Sequence, residues 1–239
     1  MRKLLLCWLF IPLTGLCQTK NVISTFRAFP KPEKIAELEK ALTAHAQKFH
    51  TGEWKWRTYE ILSGPDAGGY HVVEGPNSWA QLDERNDISA AHTSDWNTNV
   101  SPLTTTQGSQ GYSVYREELS STGLTDYTEK IAITHVYPKQ GCTDTIIGLL
   151  KKIKVVWQKT NEPVAVYQAS GSGAPQLVLV FRYKTGWKER DPGFRKSFME
   201  RYKAEYGDNA YNDYLAVIQQ FVEKSWAEML IYRSDLSSK

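Results

Sequence analysis

Residues 21–120 can be laid over residues 130–237, and a chain built twice from one plan must bury, in each half, the face that a single copy leaves open. Three anchors carry the superposition. Phe29-Pro30-Lys31 aligns with Tyr137-Pro138-Lys139 at an offset of 108, each triplet closing an apolar strand and opening a helix. Trp79 aligns with Trp187 at the same offset, each after a strand and a glycine-containing stretch, as expected of core anchors. Val114-Tyr115-Arg116-Glu117-Glu118-Leu119-Ser120 aligns with Ile231-Tyr232-Arg233-Ser234-Asp235-Leu236-Ser237 at an offset of 117, so the second copy carries nine extra residues between its Trp and its last strand.

Each copy reads strand, helix, strand, strand, helix, strand. Pro32 suits a first helical turn, and Ile35, Leu38, Leu42, His45 and Phe49 then recur at helical spacing, as do Ile146, Leu150, Ile153 and Trp157 in the second copy. Two β-rich runs follow in each copy, 54–62 with 70–74 and 164–169 with 176–183, joined by Gly- and Pro-containing turns that predict hairpins. In the second copy Asp191-Pro192 starts a helical region, Gly207 breaks it, and Tyr214, Leu215, Ile218, Phe221 and Val222 form a stripe; the first copy is more polar over 80–103 and predicts a loop over 104–111. The order βαββαβ specifies a ferredoxin-like unit with both helices on one sheet face. Ile131 and Ile133 alternate with Ala132, Thr134 and Val136, so both faces of the strand are apolar and the second must be covered, sheet to sheet. The expected fold is α+β, two ferredoxin-like repeats (18–120 and 130–239) joined by a linker over 121–129, as a monomer or a homodimer.

The first 17 residues stand apart. Arg2 and Lys3 precede an apolar run from Leu4 to Leu16 that is too short to span a bilayer, the pattern of an export signal. Small residues at Gly15 and Cys17 place cleavage before Gln18, which predicts a secreted or periplasmic protein with no integral membrane segment; a lipid anchor on Cys17 is the alternative, although Leu16 is large for the position before a lipidated cysteine. After cleavage only Cys142 remains, so no internal disulfide is available. The whole chain carries a net charge of +3, and without Arg2 and Lys3 there are 27 basic against 26 acidic residues, a balance that predicts no nucleic-acid partner.

This architecture resembles the dimeric α/β barrels, a superfamily that includes antibiotic-biosynthesis-type monooxygenases and NIPSNAP-like proteins, in which two ferredoxin-like units share one barrel. The resemblance covers the chain from residue 18 onward as architecture. It implies a lumen able to hold a small ligand and, in some fused pairs, haem held by a histidine, a role open here to His71 or His135. It carries no catalytic motif onto these residues, and the reading expects no cofactor.

Arg27 and His135 occupy equivalent positions in the two first strands, and a cation there either lines a cavity or pairs with a carboxylate. His71, aligned with Leu179, lies in the strand that neighbours Arg27 in such a fold. The expected site is therefore Arg27, His71 and His135 with the aromatics Trp56 and Phe29, binding a small apolar ligand with an acidic group. An oxidoreductase, cofactorless or haem-dependent, is the alternative, and a ligand-free interaction protein the third reading. No metal site is expected: His45 and His50 are five apart, about 140° around a helix, and His92 has no evident partner in sequence. The repeated Tyr115-Arg116 and Tyr232-Arg233 suit an anion, but repetition in both copies predicts a structural role; Cys142, at a helix start with no base nearby in sequence, reads as an incidental thiol.

Overall fold

Strand pairing follows the duplicated sequence in a computed structural model that describes residues 19–85 and 89–239; the predicted export signal lies outside them. The first half runs β1 (Val22–Pro30), α1 (Ile35–Phe49), β2 (Trp56–Ile61), β3 (Tyr70–Asn77), the short helices α2 (Trp79–Asp83) and α3 (Ala90–Asp95), and β4 (Thr104–Tyr115). The second runs β5 (Lys130–Pro138), α4 (Thr143–Lys159), β6 (Val164–Ser170), β7 (Leu177–Tyr183), α5 (Phe198–Tyr206), α6 (Ala210–Phe221) and β8 (Val222–Tyr232). All neighbouring strands are antiparallel, and they close a barrel in the order β1-β3-β2-β8-β5-β7-β6-β4. Each half thus contributes a four-stranded ferredoxin-like sheet, β4-β1-β3-β2 and β8-β5-β7-β6. The fold is a fused α/β-barrel pair.

Alternation along each strand divides the molecule into layers. On β5, Ile131 and Ile133 face the lumen, while Val136 packs outward on a core built from Ile146, Leu150, Ile153 and Trp157 of α4 and the aromatics of α5 and α6. In the first half the outward layer is Leu38, Leu42 and Ala46 of α1 on Tyr70 and Val72 of β3. Three sequence expectations change. The predicted loop 104–111 is strand, because the edge of β1 needs a partner and these polar residues pair with it from Ala28↔Gly108 to Val22↔Val114. Trp79 is no core anchor: the residue is 46% exposed and its ring lies beside Tyr112, while Trp187 is half-buried against Tyr183. The counterpart of His71 is Val178 rather than Leu179, since His71 pairs with Arg27 and Val178 with His135.

The two sheets meet along short seams, three residue pairs between β2 and β8 and four between β4 and β6. The repeated heptapeptide reinforces both. After β4, Arg116 N–H donates to Val166 O (2.9 Å), Ser120 Oγ accepts from Val166 N (2.8 Å) and Ser121 Oγ accepts from Val164 N (2.8 Å). After β8, Arg233 N–H donates to Thr58 O (2.9 Å), Ser237 Oγ accepts from Thr58 N (2.9 Å) and Ser238 Oγ accepts from Trp56 N (2.9 Å). Leu119 and Leu236 are buried beneath the two clasps. Arg116 meets Glu118 and Gln168, and Arg233 meets Asp235, Glu39 and Glu60, so these arginines are engaged at the seams. Each half therefore fastens the other. Replacing Ser237 by Ala leaves the buried Thr58 N–H without its acceptor and should lower stability by about 1–3 kcal/mol, with Ser120→Ala costing a similar amount; urea denaturation of both variants checks this.

Candidate functional site

Inside the barrel lies a cavity of about 370 Å³. Its walls include Ile23, Val73, Ile131, Ile133, Val178 and Val180, with Tyr59, Tyr127, Tyr167 and Trp226 supplying aromatic surface. Arg27, His71 and His135 all reach it. β1 and β5 lie opposite one another in the closed strand order, yet Arg27 Nη2 approaches His135 Nε2 at 3.5 Å across the lumen. His71 stands beside Arg27 in the register of β1 with β3.

The other two expected residues lie elsewhere. Trp56 belongs to the outward face of β2, because Tyr59 points inward and alternation sends Trp56 the other way. Its ring packs on Phe26 (4.9 Å) and stacks on His50 (3.6 Å) in the helix layer. Phe29 shares the phase of Arg27 but sits at the end of β1, away from the cavity wall; its ring covers Gly69 so closely that a Cβ there would lie 2.6 Å from a ring carbon.

Arg27 is neutralised within the protein. It is paired with Glu228 and Asp66, and Glu228, 1% exposed, also accepts from His135 Nε2 at 2.8 Å. Burial pushes the Glu228 carboxyl up, but hydrogen bonds from His135 and Arg27 with their charges outweigh it and hold the group below the ordinary carboxylate range. Gln176 Nε2 donates to His135 Nδ1 (2.7 Å), so both nitrogens of His135 are engaged, and its ring stacks on Trp226 at 3.9 Å. His71 Nδ1 is buried with no hydrogen-bond partner among the described residues. Burial, and then the charge of Arg27, lower the His71 pKa to about 3.

Sequence reasoning missed Arg182. It lines the same cavity, is 3% exposed, and forms no ion pair among the described residues. Its donors go to Gly123 O (2.6 Å), Leu124 O (2.9 Å) and the Tyr167 hydroxyl (3.2 Å). A lone arginine near the end of an otherwise apolar strand, Leu177-Val178-Leu179-Val180-Phe181-Arg182, is the signal that was available. Burial pushes the Tyr59 phenol up to about 12 and raises that of Tyr167, so both stay protonated donors near neutral pH.

The histidines of the helix layer also depart from expectation. The 140° separation fails because α1 ends at Phe49 and His50, at φ −112° and ψ 76°, has left the helix. Its side chain turns back toward His45, and His92 on α3 joins both. Cys142 is half-buried just ahead of α4, with Gln140 O at 3.7 Å as its contact, in keeping with an incidental thiol.

No protein-family model matches the chain, and no curated protein matches it. Solved structures do. An anthrone oxidase-like protein superposes with a TM-score of 0.58 at 12% identity, over 90% of this chain and 92% of that one. A candidate monooxygenase from Fusobacterium nucleatum subsp. nucleatum gives 0.57 at 11% identity, over 88% and 91%. A mutant chlorite dismutase from Candidatus Nitrospira defluvii gives 0.51 at 9% identity, over 90% and 92%. At these identities the likeness is one of fold, a ferredoxin-like α/β barrel.

The lumen makes the protein acid-sensitive in a defined direction. The unfolded chain protonates His71 near the ordinary value of 6.5 and the folded chain only near 3, so acidification through that window favours unfolding. The group should remove about 2–3 kcal/mol of stability by about pH 4.5, and His71→Gln should flatten the slope of stability against pH over that range. Equal slopes in urea titrations of the two proteins would assign the acid sensitivity to other groups.

Proposed function

We propose that the protein binds a small aromatic molecule bearing an acidic group within the barrel, with the acidic end at Arg182. The observation that carries this is a buried arginine, without a carboxylate partner among the described residues, on the wall of a largely apolar cavity. A buried cation held by two carbonyls and a phenol, with the Tyr127 ring at 5.3 Å, is a ready receptor for an anion. The volume of about 370 Å³ falls within the range of ligand pockets, about 300–1,000 Å³, and well above the roughly 150 Å³ that holds one benzene. The two ends differ in polarity. Arg182 is level with Ile131, and the Arg27–Glu228–His135 group is level with His135, four residues further along β5. At the rise of a strand that is about 13 Å, the length of two or three fused rings. Arg27, His71 and His135 then supply polar contacts at the end away from the acid.

A second reading, a cofactorless oxidase acting on the same ligand class, draws support from the His135–Glu228 pair. With Nε2–H held by Glu228, Nδ1 is the basic nitrogen, turned toward the cavity-lining Gln176. His71, with its pKa lowered to about 3, is a weak base for a phenolic or anthrone proton. Haem fits poorly. His135 has both nitrogens engaged, which leaves His71 as its ligand, and the cavity takes a few fused rings rather than a porphyrin. An intense visible absorption band in purified protein would reverse that conclusion.

Export is part of the same proposal, supported by the basic and then apolar first 17 residues. Among the described residues no helix is long and apolar enough to cross a membrane. Edman sequencing of the protein recovered outside the cytoplasm should begin at Gln18.

The binding reading is tested by fluorescence titration with naphthoate and anthracene carboxylate, beside the uncharged parent hydrocarbons. The acids should bind in preference to the hydrocarbons, and Arg182→Met should weaken them at least tenfold while changing hydrocarbon binding little. Equal affinity of the two proteins for the acids would remove Arg182 from the site. Oxygen uptake with an anthrone, lost in His135→Gln, would select the oxidase reading.

A further inference from the structure

The outer face of the first sheet carries a second polar constellation, separated from the lumen by the sheet itself. His45 comes from α1, His50 from the residue that ends it, and His92 from α3. Their ligating nitrogens all lie within 4.8 Å of one another. His92 Nε2 is 3.3 Å from His45 Nε2 and 3.2 Å from His50 Nε2. A tetrahedral ion with Zn–N bonds of about 2.0–2.1 Å has nitrogen-to-nitrogen edges of about 3.3–3.4 Å, which the two spacings at His92 match, and the third pair lies within 4.8 Å.

The opposite edges of the rings add an independent observation. His45 Nδ1 meets Asp95 Oδ2 at 2.8 Å, and His50 Nδ1 meets Glu74 Oε2 at 2.9 Å. Glu74 is itself fixed by the Trp56 indole N–H (2.9 Å) and by Arg85. A carboxylate behind each ring holds the proton on Nδ1 and leaves the Nε2 lone pair aimed inward, the arrangement that surrounds metal-bound histidines. Two inward lone pairs facing one further Nε2 cannot all be matched by the single proton that His92 could carry there. One cation satisfies all three.

The duplication shows that the fold does not require these residues. The second half builds the same layer with Ile153 at the position of His45, buried in an apolar core, and Gln158 stands where the repeat offset places His50. Burying two imidazoles and a carboxylate in place of aliphatic packing costs free energy that the second copy does not spend. His45 and His50 are both buried, yet they converge on His92, which is only half-buried and offers a way in for an ion.

We propose that His45, His50 and His92 bind one divalent first-row transition ion, Zn²⁺ in the first instance, through their three Nε2 atoms. Among the described residues the group holds three imidazoles and no fourth Asp, Glu, Cys or His. Asp95 and Glu74 are positioning residues. The all-imidazole donor set suits Zn²⁺, Co²⁺, Ni²⁺ or Cu²⁺ and disfavours Mg²⁺ and Ca²⁺.

The test uses untagged protein stripped with a chelator and titrated with Zn²⁺ by calorimetry, with Co²⁺ added separately as a spectroscopic probe. One Zn²⁺ per chain is expected, together with the intense visible bands of four-coordinate Co²⁺ and their displacement by Zn²⁺. His92→Ala, on a short surface helix, should keep the barrel's far-ultraviolet dichroism and lose at least 100-fold in Zn²⁺ affinity; Asp95→Asn should lose about 10–100-fold. Substoichiometric Zn²⁺ in the stripped wild type, the weak bands of six-coordinate Co²⁺, or unchanged affinity in Asp95→Asn would each overturn the proposal. The wild-type Co²⁺ spectrum decides it even if His92→Ala fails to fold. None of these results depends on whether the lumen binds an aromatic acid.

Discussion

The barrel depends on two short seams where sheets from different halves of the chain must pair. Three and four residue pairs are little to hold a closed sheet, and an open one would expose unpaired strand edges and the apolar lumen face. The Tyr-Arg-x-x-Leu-Ser-Ser clasp resolves this by reaching across each seam after the last strand of a half and bonding backbone groups of the other half's second strand. Tyr59 with Tyr232 (5.5 Å) and Tyr115 with Tyr167 (5.7 Å) pack at the same two places. Because the clasps are reciprocal, neither half completes its own edge, and closure of the barrel is a property of the duplicated chain.

Within that symmetric frame the lumen owes its cavity to substitutions that break the symmetry. The register that pairs Ile133 with Glu228 and His135 with Trp226 also pairs Thr25 with Gly111 and Arg27 with Ser109. The second half therefore presents an indole and a carboxylate where the first presents a hydroxymethyl and a hydrogen. The large residues are used up in the ion-pair group around Arg27. The small ones on β4 leave space, and Ser109, Gly111 and Ser113 are all on the cavity wall.

Much of this was legible in the sequence, in proportion to how local the determining physics is. Repeats, helix faces and hairpins are set by periodicity and turn chemistry, and the paired phase of Arg27 and His135 followed from the alignment alone. The strand at 104–111 was hidden because its residues are polar and its pairing is supplied by β1. Trp56 was assigned to the wrong face because aromatic character does not report phase: Tyr59, three residues on and equally aromatic, is the one that lines the lumen. Arg182 was overlooked because burial without a carboxylate partner among the described residues is a tertiary property that no sequence displays. The histidine cluster was rejected on an angle valid only inside a helix, and one residue past the end of α1 was enough to invalidate it.

The charges of the lumen then determine how a ligand would lie. At one end Arg27 is outnumbered by Glu228 and Asp66, with His135 bonded to the former and His71 kept neutral by burial and by Arg27. At the other, Arg182 meets carbonyl dipoles and phenols, with Arg57 stacked on Tyr127 at 3.8 Å nearby. The first end attracts hydrogen-bond donors and the second attracts an anion. In a largely apolar lumen where water screens less than in bulk, that polarity would fix orientation as much as shape. An aromatic acid entering with its carboxylate toward the Arg27 end would face two carboxylates and leave Arg182 unmatched. The same molecule reversed satisfies both ends and brings its far ring edge beneath His135.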